Sequence, residues 1–138
     1  MNDFTRTVDL LHRAMDVSTL RYQVSANNLA NAEVPNFKRS SVAFEAMLKR
    51  AFESEQANQN ALELKAEGPY TLSTKKFIDW RTVEPRRLTD FYTTSKANGN
   101  NVDAEQEAMD ILKTQLNYRL LTQLQAHEFS QIRTAMRK

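Results

Sequence analysis

The chain has 138 residues, 41% hydrophobic and 26% charged, with a formal net charge of +2 and a pI near 9.0. That length holds one domain with one modest core, and so slight a basic excess gives no ground for nucleic-acid or membrane-surface binding. With no cysteine, disulfides and thiolate metal sites are excluded.

Two glycines and a modest apolar content fit an elongated helical object better than a tight sheet. The start, Met1-Asn2-Asp3-Phe4-Thr5-Arg6, is polar and lacks the apolar run of a cleavable signal peptide. No window approaches the roughly 18 apolar residues of a membrane-spanning helix. These signals place the protein in the cytoplasm unless a signal-independent route exports it.

Residues 5–31 read as a helix. Phe4, Val8, Leu11, Met15, Ser18, Tyr22, Ser25 and Leu29 step by four and three, a stripe of coiled-coil type. Leu10, Val17 and Val24 add a second stripe, so the helix offers a wide apolar face to more than one neighbour. It spans roughly 40 Å. Its end is an unusual junction: Ala26-Asn27-Asn28-Leu29-Ala30-Asn31-Ala32-Glu33-Val34-Pro35-Asn36-Phe37-Lys38. Asn31 suits the left-handed conformation that closes helices. Pro35 pushes Val34 to extended geometry, so the chain is expected to run extended through Phe37. A helix stop needs one Asn, whereas this run carries three, with Phe37 and Lys38 behind them.

A shorter amphipathic helix is expected over 42–56. There Phe44, Met47, Leu48, Ala51 and Phe52 share a face and Ser41 could cap. Residues 54–68 are polar and expected to be mobile, ending on a Gly68-Pro69 breaker. Residues 70–95 concentrate β-branched and aromatic side chains (Tyr70, Leu72, Phe77, Ile78, Trp80, Val83, Phe91, Tyr92) and read as short strands or a hairpin. Asn98-Gly99-Asn100-Asn101 is a turn, after which Asp103 can cap a last helix over 103–136, roughly 50 Å long.

On that helix Ala108, Ile111, Gln115, Tyr118, Thr122, Gln125, Phe129, Ile132 and Met136 form one stripe, and Leu112, Leu116, Leu120, Leu121 and Leu124 a second. Gln115, Thr122 and Gln125 interrupt the seam; they either specify register and partner or sit at its solvent edge. One pairing of the two terminal helices leaves apolar surface that needs another molecule. The candidate interface residues are therefore Phe4, Val8, Leu11, Met15, Tyr22 and Leu29 on the first helix. On the last they are Ile111, Leu112, Leu116, Tyr118, Leu121, Phe129, Ile132 and Met136.

Residues for chemistry are sparse. His127-Glu128 begins like a His-Glu-x-x-His zinc site, but Gln131 stands where the second His is needed. There is no glycine-rich phosphate loop and no Gly-x-Ser-x-Gly turn. Asp103, Glu105, Glu107 and Asp110 suit the dipole at the start of the last helix, as Arg133, Arg137 and Lys138 suit its end. Lys75-Lys76, Arg81 and Arg86-Arg87 are interleaved with Asp79, Glu84 and Asp90, which reads as a solvated surface. Neither a catalytic, a metal nor a cofactor site is expected.

The junction, with Val34-Pro35-Asn36-Phe37-Lys38-Arg39, resembles the N-terminal signature of bacterial flagellar rod and hook proteins, roughly A-N-N-(I/L)-A-N-x-x-T-P-G-(Y/F)-K. Val34 stands where Thr is usual and Asn36 where Gly is usual; Asn can adopt the positive φ that Gly would supply. Asn98-Gly99-Asn100-Asn101-Val102-Asp103, then Asn117-Tyr118-Arg119 and Phe129-Ser130-Gln131-Ile132-Arg133-Thr134-Ala135-Met136, are similar to the turn and the last helix of the proximal-rod FlgB family. The likeness covers roughly 1–52 and 98–138. The companion FlgC family is the nearest confusable relative.

The resemblance implies a structural subunit of the flagellar basal-body rod. Such subunits assemble helically with copies and with other axial proteins (FlgC-like and distal-rod subunits, a membrane-ring adaptor at the rod base) into a hollow, periplasmic drive shaft. It implies type III export without signal cleavage, with Phe4 and Val8 similar to a short export signal; the same two residues belong to the packing stripe. Asn27, Asn28, Leu29, Ala30, Asn31, Pro35, Asn36, Phe37 and Lys38 form the signature turn. The expected fold is mainly α, with the terminal helices paired as a coiled-coil-like hairpin around a short helix and a small β-like middle. The expected division is an arm at 1–53, a variable middle at 54–97, and 98–138 joined to 1–31 as one axial domain. A generic coiled-coil adaptor is the rival of another class.

Overall fold

The computed structural model describes residues 3–65 and 77–137. The fold is mainly helical. In chain order it has α1 (Asp3–Ala30), β1 (Ser40–Ala43), α2 (Glu45–Lys65), a 3-10 turn (Trp80–Thr82), β2 (Arg86–Thr89) and α3 (Ala104–Met136). Two compact units are formed: residues 1–42 with 87–138, and residues 43–86.

In the first unit α1 and α3 pack side by side. Phe4 meets Phe129 edge-on, ring centres 5.6 Å apart, while at the other end Asn28 reaches Glu107. Low numbers pair with high, so the helices are antiparallel. His12 and Gln125 bond between these ends at 2.7 Å. The seam follows the sevenfold apolar pattern but with a rotation. On α1, Val8, Val17 and Val24 are buried, whereas Tyr22 and Leu29 lie partly in solvent. On α3, Ile111, Thr114, Leu121, Gln125 and Ile132 sit half-buried, and Leu112, Leu116 and Leu120 face outward. Gln125 thus lies in the seam, while Gln115 and Thr122 lie outside it. Asp103 caps α3, accepting from the amides of Glu105 (3.0 Å) and Gln106 (3.4 Å).

Four expectations are corrected. The left-handed residue is Asn36 (φ +60°), not Asn31. The chain does not extend from Asn31 but coils, through amide-to-carbonyl bonds Ala32 to Leu29 (3.2 Å), Val34 to Asn31 (3.1 Å) and Phe37 to Val34 (3.4 Å). Proline second and a positive-φ residue third is the requirement of a type II turn, which Val34-Pro35-Asn36-Phe37 meets. The hairpin expected within 70–95 is not local: β2 pairs with β1, from before α2. Arg39 faces Asp90 (2.9 Å) and Ser40 faces Thr89 (3.1 Å), so the two strands are antiparallel. Residues 70–76 of that expectation lie outside the described residues. Finally, α2 starts after β1, at Glu45, and continues through the polar stretch to Lys65. Glu, Gln, Ala and Leu are strong helix formers there, and neither Gly nor Pro intervenes before Gly68.

In the second unit α2 packs on the 3-10 turn. Phe44, Ala51, Trp80 and Val83 are buried. Phe52 and Trp80 rings lie 6.3 Å apart, and the Arg81 guanidinium stands 5.1 Å from the Trp80 ring centre. Ser54 Oγ donates to the Ala51 carbonyl (2.8 Å) and accepts from the Ile78 amide (3.1 Å), stitching the chain to α2. Trp80→Ala removes this unit's largest buried ring and is expected to cost about 3–5 kcal/mol. Faster hydrogen exchange along α2 would report it; unchanged exchange would mean Trp80 contributes no packing.

Candidate functional site

The junction after α1 is held by side-chain amides. Asn28 is almost fully buried and uses both ends of its carboxamide. Its Oδ1 accepts from the Ser40 amide (3.1 Å), and its Nδ2 donates to the Ser40 carbonyl (2.7 Å) and to Glu107 Oε1 (3.2 Å). Asn28 therefore reads the start of β1 as a neighbouring strand would. It does so because α1 ends two residues later, at Ala30, leaving the chain free to fold back beside it.

Glu107 is fully buried. Its Oε1 also accepts from Arg39 Nε, and Arg39 Nη2 donates to Asp110 Oδ2 at 3.2 Å. The Oε2 atom has no hydrogen-bond partner among the described residues. A buried carboxylate is costly unless paired and bonded, so this charge is tolerated only while Asn28 and Arg39 converge on it. Three segments far apart in sequence meet at one oxygen.

A second set of bonds ties the junction to the turn before α3. Asn100 is buried; its Nδ2 donates to the carbonyls of Asn31 (3.0 Å), Ala32 (3.0 Å) and Val34 (2.8 Å), and its Oδ1 accepts from the Val102 amide (2.6 Å). It thus ties together three carbonyls of the coil that follows α1. Asn101 Oδ1 accepts from the Arg39 amide (2.6 Å) and its Nδ2 donates to the Asp90 carbonyl (2.9 Å). Lys38 Nζ bonds the carbonyls of Thr93 and Gly99, both at 3.0 Å. Lys96 Nζ bonds the Ala32 carbonyl (2.9 Å) and Glu33 (3.0 Å). Asp90 closes the loop between, and the Thr93 hydroxyl, followed by the Tyr92 and Thr93 amides, holds its carboxyl below its ordinary value of 3.8.

Asn36 and Gly99 both have positive φ (+60° and +80°) and lie in contact. The Asn36 amide donates to the Asn98 carbonyl at 3.0 Å, and a Cβ on Gly99 would fall 2.5 Å from Asn36 Oδ1.

Of the signature residues, Asn28, Asn31, Asn36 and Lys38 thus enter this web. Asn27 contributes its carbonyl, which accepts from the Asn31 amide and side chain. Phe37 is half-buried, and Leu29, Ala30 and Pro35 are largely exposed. The interface candidates are distributed: Val8 is buried in the seam, Phe4 and Phe129 close its end, and Leu112, Leu116 and Met136 face solvent. Sequence reasoning missed Arg39, Lys96, Asn100, Asn101 and the buried role of Glu107. A polar residue at seam spacing before Ile111, Thr114 and Tyr118 was the one available signal for Glu107. Among the described residues, no three His, Cys, Asp or Glu side chains group as a metal site.

Two outcomes follow. Glu107→Ala strands Asn28 and Arg39 and is expected to cost about 2–4 kcal/mol, somewhat below a fully buried pair because Arg39 keeps contact with water. Glu107→Gln retains an acceptor and should cost less; urea melts that rank them the other way would refute the shared-acceptor account. Gly99→Ala is expected to cost roughly 1–3 kcal/mol from backbone strain plus its clash. Asn36→Gly removes the clashing amide, so the double variant should lose less than the two singles summed. Strict additivity would show that the two residues do not touch.

No family model matches the chain. Whole-chain relatives do. The chain is 41% identical over 137 residues to the flagellar basal body rod protein FlgB of Borreliella burgdorferi, covering 99% of this chain and 100% of that one. It is 42% identical over 132 residues to the protein of the same name from Borrelia hermsii, covering 96% of each. With that of Bacillus subtilis it shares 25% identity over 143 aligned positions, covering 99% and 97%. At such identity along the whole length of both chains, this protein belongs to the FlgB family of flagellar basal body rod proteins.

Proposed function

We infer that the chain is a structural subunit of the flagellar basal-body rod. The observation that carries this is the full-length identity to FlgB proteins, joined to a signature turn bonded into the start of α3. The role is mechanical and needs no chemistry at the junction. Subunits assemble helically, with copies and with other rod components, into the hollow proximal shaft, and torque passes through the paired helices. FlgC-like and distal-rod subunits, together with a membrane-ring adaptor at the rod base, are the specific neighbours we propose. A heterologous contact repeated by rotation and rise gives such a tube.

The outward leucines of α3 support an interface there: Leu112, Leu116 and Leu120 are each more than half exposed, a contiguous apolar patch of the kind that marks contact surfaces. No described helix is long and apolar enough to cross a membrane. We place the subunit in the periplasmic part of the basal body, delivered by the flagellar type III apparatus. Phe4 and Val8 are engaged in the helix seam once folded, so their reading as an export signal applies to the unfolded chain.

Deleting the gene is expected to abolish motility and leave basal bodies without rods in electron micrographs. Intact rods would sink the reading. Leu116→Asp should leave secretion and monomer helicity near wild type, because the side chain is in solvent, yet block rod assembly. Normal assembly would remove the α3 leucines from the interface.

A further inference from the structure

Phe91 and Tyr92 are the most exposed aromatic pair among the described residues, 69% and 97% open to solvent. Their backbone, by contrast, is tightly held. Asp90 Oδ1 accepts from the amides of Tyr92 (3.0 Å) and Thr93 (3.2 Å), and its Oδ2 accepts from the Thr93 hydroxyl. Asn101 Nδ2 grips the Asp90 carbonyl and Thr93 Oγ1 at 2.9 and 3.0 Å. Lys38 Nζ fixes the Thr93 carbonyl at 3.0 Å, and the Asp90 amide is bonded to Arg39. A turn braced on both sides that offers two rings to water is preorganised. Rigid aromatic anchors of this kind lose little entropy on docking and dominate interface energies.

A site of matching chemistry lies on the same unit. Between Ser18, Thr19 and Tyr22 of α1 and Thr114, Tyr118 and Arg119 of α3 runs an open cleft of about 380 Å³. Gln115 also lines it, and two of its lining residues are tyrosines. The Arg119 guanidinium has no hydrogen bond or ion pair among the described residues. Tyrosine rings suit stacking against incoming rings, and a guanidinium suits the face of one. The braced turn sits where α3 begins, through Asn101. The cleft lies 10 to 15 residues further along α3, roughly 15–22 Å at 1.5 Å per residue. One chain therefore cannot fill its own cleft.

We propose that the Phe91-Tyr92 turn of one subunit docks in the Tyr22–Tyr118 cleft of a second copy. The two surfaces differ, so the contact is heterologous, and the axial offset between them staggers successive copies in one direction without closing a dimer. This rests on the reading that copies of the chain assemble with one another, and it names the surfaces that do so.

The chain has no cysteine, so introduced thiols report the contact directly. Full-length Tyr92→Cys and Thr19→Cys chains are mixed and oxidised, and the products are separated by mass. The expected product is the mixed dimer, at least tenfold over either symmetrical one. A dominant Tyr92→Cys homodimer, or no mixed dimer in isolated basal bodies containing both variants, overturns the proposal. As a second measurement, Phe91→Ala/Tyr92→Ala should leave helicity unchanged, since both rings lie in solvent, and weaken self-association at least tenfold. Unchanged association also overturns it. Normal rods built from that double variant would dismiss this contact alone, whereas intact rods after gene deletion would dismiss the rod reading beneath it.

Discussion

One carboxylate oxygen organises the first unit. Glu107 Oε1 sits out of water at the start of α3 and accepts from the end of α1 and from the strand entry. An isolated buried charge is far worse than a paired one, and although the attraction is stronger away from water, the cost of desolvating the charges offsets most of it. The arrangement therefore adds little net stability over an apolar substitute of equal shape. What it adds is exclusivity. Seam residues such as Thr114 and Gln125 would tolerate sliding by a turn, because solvent reaches them. Glu107 would not, because any slide separates it from Asn28 and Arg39 together.

The asparagines around it do the work that regular secondary structure does elsewhere. Asn28 substitutes for a strand beside Ser40, Asn100 for a further helical turn above Asn31 and Ala32, and Asn101 for a ladder partner of Arg39. A short amide side chain carries a donor and an acceptor at fixed spacing, so it can imitate a peptide group wherever the backbone cannot continue. That accounts for the concentration of asparagine at 27–36 and 98–101, where two helices end and begin at one place.

The two terminal helices and their approximate lengths were legible in the sequence, because apolar residues at sevenfold spacing leave a local trace; the extent of α2 was not. The positive φ at Asn36 was expected where the resembling signature carries Gly and is found there, whereas the left-handed conformation expected at Asn31 is absent, because both asparagines satisfy the same local rule. The web was illegible for a physical reason. Asn28 and Glu107 are 79 residues apart and Arg39 and Glu107 are 68 apart, and a hydrogen bond imposes no periodicity on the sequence between its ends. The partner of β2 was missed likewise, since a strand of four residues takes whichever edge the tertiary fold presents. On α3 the first stripe contributes Ile111, Gln125 and Ile132 to the half-buried seam, while Leu112, Leu116 and Leu120 of the second lie open.

Antiparallel pairing also fixes how the subunit bears load. Phe4 and Phe129 close the end where α1 begins and α3 ends, and the amide web closes the other. Force that pulled the start of α1 away from the end of α3 would open the pair from that end by peeling, one contact after another. Force applied along the helices, one pulled against the other, would strain every contact from Phe4 to Asn28 at once, in shear. A shaft built of such pairs is stiff lengthwise, and its weak direction is the splaying of its own helix tips.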